Sequence, residues 1–367
     1  MSSKPKIIVA MSGGVDSSVA AALLVEQGCE VEGASLRLWE APRPQPRNCS
    51  DHRGAAEVAA ALGIPHTLID ARADFARAVV RPFVGEYIAG RTPNPCVACN
   101  RDFKLGVLLD WAKAKGADYV ATGHYARIAR DPETLRAALM RGIDRQKDQS
   151  YFLFALSQRQ LVDTLFPLGG LEKSEVRAVA RRLALSVAER PESQDVCFGD
   201  YRSFVESLAD PAELQGGEIV DRAGNVLGHH DGLHRLTIGQ RKGLGISSPE
   251  PLYVIEIDEA SRRVVVGGRE ELNGRGLVAA SVNWIAPPQD AEFFAEVQVR
   301  YRSPAIPCRV RLLADGRCEA RFDAAFPAVT PGQAAVFYRG EKVLGGGWIE
   351  KAIKGSLDVK SQISNAI

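Results

Sequence analysis

Lys6-Ile7-Ile8-Val9-Ala10-Met11-Ser12-Gly13-Gly14-Val15-Asp16-Ser17-Ser18 is an apolar run that breaks at two glycines and resumes with helical spacing. The run to Met11 predicts a buried strand. Val15, Val19, Leu23 and Leu24 share one face of a helix predicted over 15–27. Gly13 and Gly14 let the backbone turn tightly with no side chain in the way. The amides that follow, at a helix N-terminus, then face a negative group. Ser12, Ser17 and Ser18 add hydroxyl donors, and Asp16 is placed to hold magnesium or to orient the loop.

The same alternation continues outward. Strands are predicted at 31–38, 66–69 and 119–121, with helices at 51–62, where Asp51 is the N-cap, and at 105–115. Repeated β-α-β spacing implies an α/β fold, a parallel sheet with helices on both faces. Ligands of such sheets sit at the carboxyl ends of the strands, here after Met11, Leu38 and Ala121. The segment 39–50, with Pro42, Pro44 and Pro46, is expected to be irregular and mobile. Helices are expected at 149–156 and 172–183. From about Tyr201 short strands take over, at 218–221, 252–257, 263–266, 295–301, 308–313, 318–322, 334–338 and 348–350. Turn residues separate them at intervals that suit an antiparallel barrel. The tail from Gly355 is expected to fray.

The chain has 367 residues, enough for two or three domains. With 46% hydrophobic and 25% charged residues it has ordinary globular composition, which argues against a disordered chain. No apolar run approaches a membrane span and residues 1–10 lack a cleavable leader pattern, so no membrane partner is expected. The net charge of +1 leaves any nucleic-acid surface to local patches. Seven scattered cysteines, an odd number, do not make a disulfide framework and point to a reducing, cytoplasmic setting.

Cys96 and Cys99 form a Cys-x-x-Cys pair just before a helix, where the helix N-terminus favours the thiolate. A zinc half-site lacks partner ligands at suitable spacing, so no resident metal is expected. A redox pair and a single nucleophile working with a distant cysteine both remain open. Cys197, between Asp195 and Asp200, reads by itself as an inert thiol, and Cys49 carries no motif. Cys29, Cys308 and Cys318 read as strand-associated packing residues.

The first loop is not a Walker loop, since it lacks the Gly-Lys-Ser/Thr ending. It resembles instead the SGGxDS loop of the N-type ATP pyrophosphatases. Six stretches together resemble one family more narrowly: 11–18; 90–95 with Cys99-Asn100; Ala121-Thr122-Gly123-His124-Tyr125; Lys147-Asp148-Gln149-Ser150-Tyr151-Phe152; Val196-Cys197-Phe198; and Thr330-Pro331-Gly332-Gln333. On these the chain is similar to the tRNA-specific 2-thiouridylases, which replace an oxygen of the wobble uridine with sulfur. The resemblance implies an adenine-nucleotide α-hydrolase-like catalytic domain (1–200), a small central domain (201–275) and a C-terminal antiparallel β-barrel (276–360).

It also implies roles. ATP, with transient Mg2+, would meet Ala10, Met11, Ser12, Gly13, Gly14, Val15, Asp16 and Ser17, with Leu36 and Gly123 at the adenosine. Asn94, Pro95 and Cys96 would meet the target base. His124, Lys147, Asp148, Gln149, Arg300, Tyr301 and Gln333 would contact tRNA. Cys99 would be the nucleophile, and Cys197 would carry a persulfide loaded by a sulfur-relay donor protein. Many members have aspartate, a candidate acid/base, where this chain has Cys96. Basic residues at Arg177, Arg181 and Arg182, and at Arg300, Arg302, Arg309 and Arg311, are candidate backbone contacts; alternation on a strand would put Arg300 and Arg302 on one side. Two readings compete: a pyrophosphatase of the same superfamily with a different nucleophile, and a nucleotide-sensing RNA-binding protein.

Overall fold

The computed structural model describes residues 4–39, 52–134, 136–191 and 200–354. The proline-rich loop with Cys49, the Asp51 cap, the stretch 192–199 with Cys197, and the tail from Gly355 lie outside the described residues.

The apolar run at the amino end forms the strand Lys6–Ala10, the middle of a five-stranded parallel sheet. From it the chain builds outward to Glu30–Arg37 and His66–Asp70 on one side. It then crosses back to Tyr119–Thr122 and Thr164–Leu165 on the other. The direction of winding therefore reverses between Lys6–Ala10 and Tyr119–Thr122, and the carboxyl ends of those two strands flank the crevice where open α/β sheets bind ligands. Both faces are covered, as expected. Val15–Glu26, His52–Ala61 and Lys173–Arg182 pack on one face through Val19, Val58 and Val176. The helical stretch from Pro95 to Ala114 packs on the other through Val97, Phe103 and Leu108.

The central part is a four-stranded sheet of Tyr253–Asp258, Arg263–Gly267, Gly217–Val220 and Val226–His230, with its own small core around Val254, Val264 and Leu233. Six antiparallel strands then close into a barrel, because Asn273–Trp284 pairs with both Cys318–Pro327 and Lys342–Ile353. Cys308 and Cys318 are buried in it, and burial pushes both thiols up to about 12. The hairpin of Ala126–Arg130 and Ala137–Arg141 joins this sheet through Met140 and Lys342. Tyr151, Leu153 and Phe154 share one core with Val336 and Tyr338. The parallel-sheet part and the barrel are thus welded by apolar packing.

Two expected elements differ. Instead of a helix over 149–156 there is one 3-10 turn, Ser150–Phe152. Asp148 Oδ1 accepts from the Ser150 amide at 3.1 Å and the Ser150 hydroxyl donates back to Asp148 Oδ2 at 3.0 Å, local bonds that compete with helix formation. The strand expected over 295–301 is Glu292–Gln298. Arg300 and Arg302 lie in the turn beyond it, with Arg302 at φ 63°, so strand alternation does not align them.

Candidate active site

Gly13 has φ 74° and Gly14 is extended, and the helix starts at Val15. Three hydroxyls tie the loop together. Ser17 and Ser18 donate to the Gly14 carbonyl at 3.2 and 2.9 Å, and the Ser12 hydroxyl lies 3.3 Å from that of Ser17. The Ser18 amide bonds back to Gly14, so the amides of Val15, Asp16 and Ser17 stand at the open, electropositive end of the helix. Lys173, absent from the sequence reading, donates from Nζ to Asp16 Oδ1 at 2.6 Å, and the Tyr125 hydroxyl donates to the same oxygen at 2.8 Å. Leu36 is buried near the carboxyl end of its strand.

Gly123 follows the strand across the switch point and lies against the loop. A β-carbon there would come within 2.7 Å of the Asp16 carbonyl carbon and the Ser17 nitrogen, so only glycine fits. The next residue, His124, is buried; its Nδ1 lies 2.6 Å from Thr122 Oγ1 and its ring meets Phe166 edge-on. Burial, assisted by the charge of Lys104, pushes its pKa down to about 3. His124 is therefore a neutral, hydrogen-bonded histidine.

The cysteine pair sits at a capped helix start. Asn94 Oδ1 accepts from the Cys96 amide at 3.2 Å and Pro95 is the first helical residue. The expected lowering of the thiol pKa is overturned. Burial pushes Cys96 up to about 11, with Cys99 adding to the rise, and it also raises Cys99. Desolvation of the thiolate outweighs a few helical amides. Next to Cys99, the buried Asn100 donates to the Phe152 carbonyl at 3.4 Å, while its Oδ1 is buried with no partner among the described residues.

The thiol-bearing helix and the helix of the glycine loop pack on opposite faces of the sheet, in separate cores. Two links join the faces: Gly123, after the strand Tyr119–Thr122, abuts the glycine loop, and Lys104, on the thiol helix, acts electrostatically on His124, Cys96 and Cys99 alike.

The remaining candidates divide. Gln149 brackets Tyr125 through its backbone amide (2.9 Å) and its Oε1 (3.1 Å). Asp148 is buried and turned inward, accepting from Gly142, Ser150 and Arg141, while Lys147 next to it is half-buried. On the barrel, Gln333 Nε2 donates to the Thr92 carbonyl at 2.8 Å. The Thr92 amide donates to the Pro331 carbonyl at 3.1 Å, and its hydroxyl reaches that of Thr237, in a loop of the central part, at 3.4 Å. Thr92 thus joins all three parts just ahead of the cysteine helix, a contact that nothing in sequence spacing signals. Tyr301 packs on Phe152 with ring centroids 4.4 Å apart, Arg300 lies over Phe326, and Arg302 over Tyr301. Arg181 and Arg182 pair with Glu189 and Glu26, and Arg309 and Arg311 with Glu292 and Glu319, which are solvated ion pairs. Arg177 caps the carbonyl of Ala188.

These features define an α/β domain of the HUP class carrying two appended β domains. Residues 5–200 match the family model described as the tRNA methyl transferase HUP domain, 204–268 its PRC-barrel domain, and 274–349 the aminomethyltransferase beta-barrel domain. The chain is 51% identical over 362 residues to the tRNA-specific 2-thiouridylase MnmA of Geotalea uraniireducens, covering 95% of this chain and 96% of that one. It is 51% identical over 352 residues to that of Acidithiobacillus ferrooxidans, covering 94% and 98%. Among solved structures, the U34-tRNA thiolase NcsA of Methanococcus maripaludis is 18% identical, with TM-score 0.32, covering 55% of this chain and 63% of that one. The chain belongs to the tRNA-specific 2-thiouridylase family.

Proposed function

We propose that the chain is a tRNA-uridine 2-sulfurtransferase that adenylates O2 of the wobble uridine with ATP and then replaces that oxygen with sulfur from a cysteine persulfide. One observation carries the reading: the open-ended glycine loop and the Gly123-His124 turn flank the sheet's switch point, and Lys104 of the cysteine helix acts on His124 of that turn as well as on Cys96 and Cys99.

Residues 10–17 hold the phosphates, with the amides of Val15, Asp16 and Ser17 facing the charge that moves as pyrophosphate leaves. Leu36 and Gly123 flank the adenosine. Magnesium fits as an ion carried by the triphosphate, since Asp16 offers one carboxylate and Mg2+ is usually held by one or two carboxylates plus phosphates. The uracil oxygen attacks the α phosphorus, the bond to pyrophosphate breaks, and the resulting AMP ester makes C2 electrophilic.

Sulfur then arrives from a Cys197 persulfide, loaded by a donor protein. The outer sulfur bonds to C2 as AMP leaves, and the Cys99 thiolate attacks the Cys197 sulfur. 2-Thiouridine is released and a Cys99–Cys197 disulfide remains, which an external thiol reduces. Alternatively Cys99 first frees the outer sulfur as hydrosulfide, with the same balance. Cys96, a neutral thiol, lines the base site with Asn94 and Pro95 and does not act as a base. The wobble base is flipped into this site from an anticodon loop, where unstacking costs little. Lys147, Gln149, Arg300, Tyr301 and Gln333 form the tRNA face, whereas His124 and Asp148 shape it from below. The catalytic part covers 1–200, the central part 201–275 and the barrel 276–360, and the enzyme works in the cytoplasm.

The test is pyrophosphate release from ATP with unmodified tRNA, with and without a persulfide donor. Release that depends on tRNA, followed by 2-thiouridine, supports the reading. Tight tRNA binding with no pyrophosphate would overturn it.

A further inference from the structure

The helix that bears the cysteines changes its winding along its length. Pro95–Ala98 is α-helical, Cys99–Val107 is π-helical, and Leu108–Ala114 is α-helical again. π-Winding is rare and concentrates at functional sites. Here it has a definite consequence. Under α-winding five residues turn through about 500°, which would swing Lys104 about 140° away from Cys99. Under π-winding the backbone hydrogen bond joins residues i and i+5, which brings Lys104 onto the turn next to Cys99 and much nearer its side of the helix. Cys96, one α-turn before Cys99, extends the row to three: Cys96, Cys99, Lys104.

The unusual winding is held by its surroundings. Leu105 departs from helical geometry, with φ −121° and ψ 15°. Gln160 Nε2 donates to the carbonyls of Arg101 and Leu105 at 2.6 and 2.7 Å. A β-carbon on Gly106 would come within 2.8 Å of the Arg101 carbonyl oxygen, so glycine is required at that turn. Lys104 is half-buried and, among the described residues, has no hydrogen-bond or ion-pair partner. Its charge favours the thiolate of Cys99 and of Cys96 and disfavours a proton on His124.

We propose that Lys104 is a positioning residue for the sulfur step, its ammonium set on the turn next to Cys99 so that the thiolate of the attacking sulfur is favoured against its burial. This rests on the reading of Cys99 as the nucleophile. The thiol proton passes to solvent, the thiolate forms the S–S bond to Cys197, and the outer sulfur leaves with the electron pair of the broken bond. Burial and the nearby Asp102 oppose the thiolate at Cys99, so a cation in this row is what keeps the anion within reach.

The experiment is peptide-resolved alkylation of Cys99 by iodoacetamide across pH in the full chain, for the parent, Lys104→Gln and Lys104→Arg, with thermal unfolding of each. Lys104→Gln is expected to raise the midpoint of Cys99 labelling by about one pH unit or more, and Lys104→Arg to restore it. A Lys104→Gln profile that overlays the parent overturns the proposal. So does a Lys104→Arg profile that matches Lys104→Gln in a protein folded like the parent. Alkylation needs neither ATP nor tRNA. A shifted profile together with continued thiolation by Cys99→Ser therefore supports the charge effect and removes only the nucleophile reading.

Discussion

Lys173 Nζ lies 2.6 Å from Asp16 Oδ1, joining the first turn of the helix Lys173–Arg182 to the first turn of the glycine-loop helix. Lys173 is buried and Asp16 is one-third exposed, and the Tyr125 hydroxyl completes the cluster. The pair fixes the loop from behind while its amides face outward.

Lys173→Met should leave Asp16 without its strongest partner. Partial exposure of Asp16 tempers the cost, so a loss of about 2 kcal/mol is expected, in the range for hydrogen bonds to charged groups. Denaturant unfolding reads the loss, and the KM for ATP should rise with it.

Gly123→Ala places a methyl group against the Asp16–Ser17 peptide, which cannot yield without moving the loop. Overpacking of this kind costs about 1–3 kcal/mol. ATP binding, measured by calorimetry, should weaken by about tenfold or more, while the melting curve stays cooperative. Unchanged affinity would mean that the loop does not hold the nucleotide in this geometry.

Gln333→Ala removes the bond from the barrel to Thr92. A single neutral hydrogen bond is worth about 0.5–1.5 kcal/mol, so the fold should survive. The effect should fall on the KM for tRNA, since Thr92 precedes the cysteine helix and touches both β domains. ATP affinity should not change.

His124 is held neutral, with its pKa pushed below the ordinary histidine value to about 3. Between about pH 6.5 and 3 the unfolded chain takes up a proton at this site that the folded chain refuses. Stability contributed here is present above pH 6.5 and is lost as pH falls through that window, by at most about 1.4 kcal/mol per pH unit. The stability gap between the parent and His124→Gln should therefore narrow on acidification, read by urea unfolding at several pH values.

Much of this was legible in the sequence because backbone demands leave strong traces. An apolar strand, two glycines and a helical face can hardly be placed otherwise, and the turn spacing after residue 201 marked the barrel. The π-winding left no trace, because one extra residue in a turn barely disturbs the apolar pattern of Phe103, Leu105 and Leu108. Nor did the contacts of Lys173 with Asp16 and of Gln333 with Thr92, which link residues far apart in the chain. The expected strand through Arg300 and Arg302 failed because a positive φ at Arg302 turns the chain after Gln298. The expected low thiol pKa at Cys96 failed because sequence position reveals the helix end and not the burial around it.

The most direct measurement is mass spectrometry of the tRNA after incubation with ATP, a persulfide donor and either the parent chain or Cys99→Ser. The parent should convert the wobble uridine to its 2-thio form, and Cys99→Ser should leave the oxygen in place while still binding ATP. Thiolated tRNA from Cys99→Ser at the parental rate would contradict the account.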